Sequence, residues 1–190
     1  MKRKEIKIVL DANIFINPDA RLFFGKSIEE AINNFLHLLE KKSNITCFMP
    51  PSVFSELLNF VEIKKVSSKL SLIDKKPPSK YEIPIPAILL YEFIEEIRAR
   101  INKGLRVAEK HSRKGLRGAK EEEIIKNLRN EYRLALREGI IDSKEDFDLI
   151  LLSKELSAYL STSDKGVIKW AQKLGITCIS AEELKNLLSN

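Results

Sequence analysis

Two aspartates in this chain follow closely on short apolar runs that read as β-strands: Asp11 after EIKIVL and Asp164 after AYLST. In an open parallel sheet, ligands bind beyond the carboxyl ends of the strands, so aspartates at two such ends face one crevice. Glu56 joins them from one turn into the helix after ITCFM, and Asp142, Glu145, Asp146 and Asp148 form a further acidic cluster. Carboxylates that converge without His or Cys partners favour a hard, oxygen-preferring cation such as Mg²⁺, with Mn²⁺ as its substitute. One or two such ions can activate water and stabilise the leaving oxygen of a phosphodiester. Asn13, two residues beyond Asp11, is placed to orient that carboxylate through a hydrogen bond.

Each of these residues also has a plainer explanation. Asp11 and Asp164 can cap the helices that follow them, and Asp146, three residues after Ser143, can be the reciprocal partner of a capping box. Glu56 can be a solvated helix residue, and Glu145 reads as solvent-facing. If the helix includes Asp142, then Asp142 and Asp146 share a face while Asp148 points about 200° away from Asp146. The three cannot then all hold one ion.

The elements that position these groups follow from periodicity and punctuation. Strands are expected at 5–10, 45–49, 158–162 and 177–180. Helices are expected at 27–42 (opened by Ser27 and Glu30 at capping-box spacing), after Pro50-Pro51-Ser52, and at about 87–110, 119–137, 143–156, 165–174 and 181–188. The apolar face after Pro51 includes Val53, Phe54, Leu57, Leu58 and Val61. Lys75 to Pro86 holds four prolines and reads as a loop. Strands separated by helices imply a parallel sheet with right-handed crossovers. The expected architecture is α/β, a single domain over 1–190 with a central parallel sheet flanked by helices. A helical insertion at about 87–137 interrupts it as a basic two-helix protrusion.

That insertion carries the charge. Of a net +6, residues 98–137 supply 13 Lys and Arg against 5 Asp and Glu, while the rest of the chain is slightly acidic. A local excess of this kind suggests a polyanion-binding surface, the alternative being a solvated helix pair. Arg129 and Arg133 lie four residues apart on one helical face and Arg137 extends the line. Arg113, Lys114 and Arg117 fall in the turn at the far end, with His111 beside them. Apolar positions Leu90, Phe93, Ile94 and Ile97 exceed what a lone two-helix element needs to bury, which offers a surface for self-association. Trp170 reads as core. Cys47 and Cys178 sit inside apolar runs and read as small buried hydrophobes rather than a bridge. The chain has no apolar run long enough to span a bilayer and no signal-peptide pattern, so a cytoplasmic protein is the default and no membrane is implied.

Taken together, LDANIFI, the PPSVFSELL helix, the DFDLILLS segment and STSDKGVIKWAQKLGI resemble the acidic motifs of PIN-domain ribonucleases in their usual order. Length, the basic insertion and the IDSKEDFD spacing resemble more specifically the HARP family, the small protein-only ribonuclease P enzymes homologous to Aquifex RNase P. The resemblance covers essentially the whole chain. It implies a PIN-like fold and a Mg²⁺-dependent endonuclease that removes the 5′ leader of precursor tRNA with no RNA subunit. It further implies a large homo-oligomer. The family's acidic positions carry over to Asp11, Asp142, Asp146 and Asp164, with Asp148 matching the cluster and Glu56 the general PIN pattern. Thr162 matches the hydroxyl that orients the metal site. The competing readings are a toxin-type PIN ribonuclease cutting another RNA, and a non-catalytic RNA-binding assembly module. The first is usually shorter and lacks such an insertion; a scaffold would not need so many converging carboxylates.

Overall fold

The computed structural model describes residues 5–66, 68–116, 118, 120–137 and 143–189. Asp142 and Arg117, both singled out above, lie outside the described residues. The chain divides into two compact units, Met1–Pro84 with Ser143–Asn190, and Ile85–Asp142.

The first unit is built on a sheet of five parallel strands in the order β3-β2-β1-β4-β5. These are β1 (Ile6–Leu10), β2 (Ile45–Met49), β3 (Ile73–Lys75), β4 (Tyr159–Ser161) and β5 (Cys178–Ile179). The central strand is apolar because both its faces are covered: Ile8, Val9 and Leu10 are completely buried. Two short helices, α1 (Asn13–Ile16) and α2 (Pro18–Arg21), follow β1 before α3 (Ile28–Glu40), and α4 (Pro51–Leu58) follows β2. The first half of the chain thus adds strands on one side of β1. The chain then returns through α7 (Lys144–Leu156), β4, α8 (Lys165–Lys173), β5 and α9 (Ala181–Ser189), adding strands on the other side. The order of strand addition reverses between β1 and β4, the place where doubly wound folds open a crevice.

Local chemistry sets the ends of these elements. Ser27 Oγ accepts from the Glu30 amide at 3.1 Å, and the Glu30 carboxylate accepts from the Lys26 amide at 2.7 Å, one residue further back than a strict capping box. The buried stripe of α3 (Ala31, Ile32, Phe35, Leu36, Leu39) packs over the sheet. Phe15, Phe24 and Phe35 form an aromatic cluster, with Phe15 and Phe35 edge to face at 5.3 Å, that fixes the turn after β1. α8 ends in a Schellman motif: Gly175, at φ +72°, donates to Gln172 O and Ile176 to Ala171 O. Trp170 is buried, and both cysteines are free thiols.

Four features depart from the sequence expectation. The sheet has five strands rather than four; Ile-Asp-Lys is too short and polar to show a strand period, and β3 exists because it pairs with Cys47–Met49. The two short helices after β1 were not expected. Val61 lies beyond the end of α4, which stops at Leu58. In the second unit, α5 runs over Ala87–Gly115, longer than expected, before α6 (Glu121–Arg137). His111, Arg113 and Lys114 are therefore helical rather than part of a turn. His111 is moreover buried, with Nε2 3.4 Å from the Glu131 carboxylate, so it packs the helix pair and is not a surface contact for phosphate. The two helices approach closely at Gly104, where a Cβ would lie 2.7 Å from the Tyr132 ring. Lys110 pairs with Glu131 at 2.7 Å across them.

Candidate active site

β1 delivers Asp11 at its carboxyl end, and the Asp11 amide continues the ladder by donating to Ser161 O at 3.0 Å. The carboxylate is buried, only 3% exposed. Its Oδ1 accepts from the Asn13 amide at 3.0 Å, and its Oδ2 accepts from the Asn13 side chain at 3.4 Å and from the Thr162 hydroxyl at 2.5 Å. Burial pushes the Asp11 carboxyl above its usual range despite these donors, and the charge of Asp164 adds to the rise.

Thr162 joins the two strand ends. Its hydroxyl donates to Asp11 and accepts from the Asp164 amide at 3.0 Å, so one buried side chain fixes both aspartates. Asn17 also reaches across, its amide 3.4 Å from Ser163 Oγ. Asp164 is the N-cap of α8: Oδ1 accepts from the Gly166 and Val167 amides at 2.6 and 3.0 Å. Only one of its oxygens is used this way. The cap therefore leaves the other oxygen available.

Glu56, on α4, is exposed, yet partial desolvation and the charges of Asp11 and Glu145 raise its carboxyl. Glu145 and Asp146 lie half-buried in the first turn of α7, which Ser143 caps by accepting from the Asp146 amide at 3.0 Å. The structure therefore brings Asp11, Asp164, Glu56 and Glu145 into electrostatic contact. Asp11, Glu56 and Asp164 have no Lys or Arg partner among the described residues. Asp148 differs. It is buried, with Oδ1 2.7 Å from Lys80 Nζ and Oδ2 accepting from Ser52 Oγ at 3.0 Å. The sequence marks Ser52 only as part of the helix start at Pro50-Pro51-Ser52, and Lys80 lies in a proline-rich loop with no period to read.

Among the described residues, no group of three or more Asp, Glu, His or Cys side chains is arranged to hold a metal ion, and Asp142 lies outside that set. The donor chemistry nonetheless suits a hard divalent cation. Every candidate donor is a carboxylate oxygen, and among the described residues no side-chain cation compensates the repulsion at Asp11 and Glu56.

In the second unit, Arg113, Lys114, Arg129 and Arg133 are exposed. Arg129 and Arg133 flank a shallow groove of about 300 Å³ lined also by Ala108, Leu128 and Tyr132. Arg137 closes α6.

A doubly wound parallel sheet with Asp11 and Asp164 at its switch point is the arrangement expected of a PIN-type domain. The chain matches the PINc domain ribonuclease family over residues 7–190. It is 52% identical over 187 residues to the RNA-free ribonuclease P of Thermodesulfovibrio yellowstonii, covering 98% of this chain and 95% of that one. The protein of the same name from Pyrococcus horikoshii is 48% identical over 97% of this chain and 92% of its own, and that of Halorhodospira halophila 38% identical over 97% and 90%. The chain belongs to the RNA-free ribonuclease P family of PINc-domain, metal-dependent endoribonucleases.

Proposed function

We propose that this chain removes the 5′ leader of precursor tRNA by hydrolysing one phosphodiester, without an RNA subunit. The observation that carries the reading is the buried Asp11–Thr162–Asp164 linkage at the switch point, with no side-chain cation among the described residues to balance it. Asp11, Asp142, Asp146 and Asp164 hold Mg²⁺, or Mn²⁺ in its place, and Glu56 closes the acidic rim. When bound, such an ion supplies Lewis acidity at the phosphodiester and eases deprotonation of water. Asn13 and Thr162 keep the Asp11 oxygens aimed, and the Asp164 cap leaves its second oxygen for the crevice.

The basic helices supply the grip. Arg129, Arg133 and Arg137 on α6, with Arg113, Lys114 and Arg117, engage the folded body of tRNA by shape and backbone rather than by base sequence. Exposed Leu90, Phe93, Ile94 and Ile97 on α5 support assembly into a large homo-oligomer. No helix among the described residues is long and apolar enough to cross a membrane, and the reading is of a cytoplasmic enzyme.

Labelled precursor tRNA with Mg²⁺ tests it. A single cut at the mature 5′ end is the expected product. Cuts elsewhere would instead mark a nuclease with another RNA target, and binding without cleavage an assembly module.

A further inference from the structure

The loop after β3 is tied to α7 at two points. Lys80 Nζ lies 2.7 Å from Asp148 Oδ1, while Glu155 takes Lys76 Nζ at 2.7 Å and the Ser79 amide at 2.8 Å. Asp148 and Glu155 are seven residues apart, two turns, and so lie on one face of α7. Pro77 and Pro78, between the anchors, stiffen the strap. Asp148 has a second hold: its other oxygen accepts from Ser52, in the first turn of α4. Ser52 and Glu56 are four residues apart on the same face of α4. Asp148 stands two residues after Asp146 on α7. A buried carboxylate with one oxygen on an ammonium and the other on a hydroxyl is already satisfied, and a metal ion could take it only by displacing Lys80.

We propose that Asp148 is a positioning residue, not a metal ligand. Held by Lys80 and Ser52, it fixes the register of α4 against α7, and with it the placement of Glu56 relative to Glu145 and Asp146. The role rests on the ribonuclease P reading above. Because the reacting groups must be held to a fraction of an ångström, loosening this register slows the chemical step without touching the RNA grip.

Lys80→Met removes the ammonium but leaves the buried Asp148 carboxylate without its counter-ion, so melting curves first establish that the variant is folded. Asp148→Asn breaks the same contact without leaving a buried charge unpaired. In steady-state cleavage of precursor tRNA, Lys80→Met should lower kcat by roughly tenfold to 100-fold with KM unchanged, and Lys80→Arg should restore most of it. Asp148→Asn should fall to the same level, and the double variant no lower, because both break one contact. Mn²⁺ binding to the RNA-free protein, followed by electron paramagnetic resonance, should be weakened by Asp11→Asn but not by Asp148→Asn. Wild-type kcat in Lys80→Met, or loss of Mn²⁺ in Asp148→Asn equal to that in Asp11→Asn, overturns the proposal. Wild-type protein that leaves precursor tRNA uncut removes the ribonuclease P reading instead, and the Mn²⁺ comparison still decides whether Asp148 is a ligand.

Discussion

In the α/β unit the candidate-site charges are few and negative, and all but Glu56 are buried or half-buried; in the two-helix unit they are many, exposed and mostly positive. Asp11 is held by three donors on two neighbouring elements, and its position is over-determined. Arg129 and Arg133 lie on the open face of a helix with long side chains free to adjust. The difference fits the two tasks proposed above. Chemistry at a phosphodiester needs fixed atoms and tolerates the cost of burying charge. Capture of a polyanion needs charge at the surface, where releasing counterions drives association and loose geometry is no handicap.

Asn substitutions sharpen this contrast most. Asp11→Asn, Asp142→Asn, Asp146→Asn and Asp164→Asn should each reduce single-turnover cleavage of precursor tRNA by several orders of magnitude while circular dichroism stays native. EDTA should do the same to the wild type, reversibly with Mg²⁺. Wild-type rates in any one variant would exclude that residue from the centre.

The basic unit should respond in binding rather than in chemistry. Replacing Arg129 and Arg133 with Ala should weaken precursor-tRNA binding by roughly tenfold or more and flatten its salt dependence by about one counterion per lost contact. The cleavage rate at saturating enzyme should hold. A double variant that binds as tightly as wild type at about 150 mM salt would break the division of labour between the units.

Self-association tests the apolar face of α5. Ile94→Glu with Ile97→Glu should dissociate the oligomer in multi-angle light scattering, while each chain keeps its helical content. A wild-type monomer at micromolar concentration, with full activity, would end that idea.

The smallest effect is on stability. Burial raises the Asp11 carboxyl, and burial with the charges of Asp11 and Glu145 raises Glu56. A raised carboxyl binds its proton more tightly in the folded than in the unfolded chain. Metal-free stability therefore falls as pH rises from the ordinary carboxylate value through the raised one. In EDTA near neutral pH, Asp11→Asn should melt a few degrees above wild type, and the gap should close on acidification below the raised range. Saturating Mg²⁺ should raise the wild-type melting temperature and leave the variant's unchanged.

Much of this was legible beforehand because the residues concerned obey strong local rules. The strand ITCFM is found at its expected bounds, Ser27 and Ser143 cap the helices they announce, and aspartates that follow apolar strands lie at strand ends. What escaped depends on distant partners. β3 is a strand only because β2 is beside it. His111 reads as basic and exposed in a run of charges, yet it is buried at the contact of two helices near Glu131. Asp148 carries the same letter as Asp146 two places earlier. Helical phase already sets the two on different faces of α7, but only the three-dimensional arrival of Lys80 and Ser52, 68 and 96 positions away in sequence, shows what Asp148 is held by.

The sheet's outermost strands are three and two residues long. Few backbone donors and acceptors are therefore left open along its rims, and Pro77 and Pro78 follow β3 after one intervening residue. Such stunted borders discourage strand-by-strand addition of another copy, the route to amyloid-like stacking. Copies brought together by any other surface would then stay distinct, their sheets unfused.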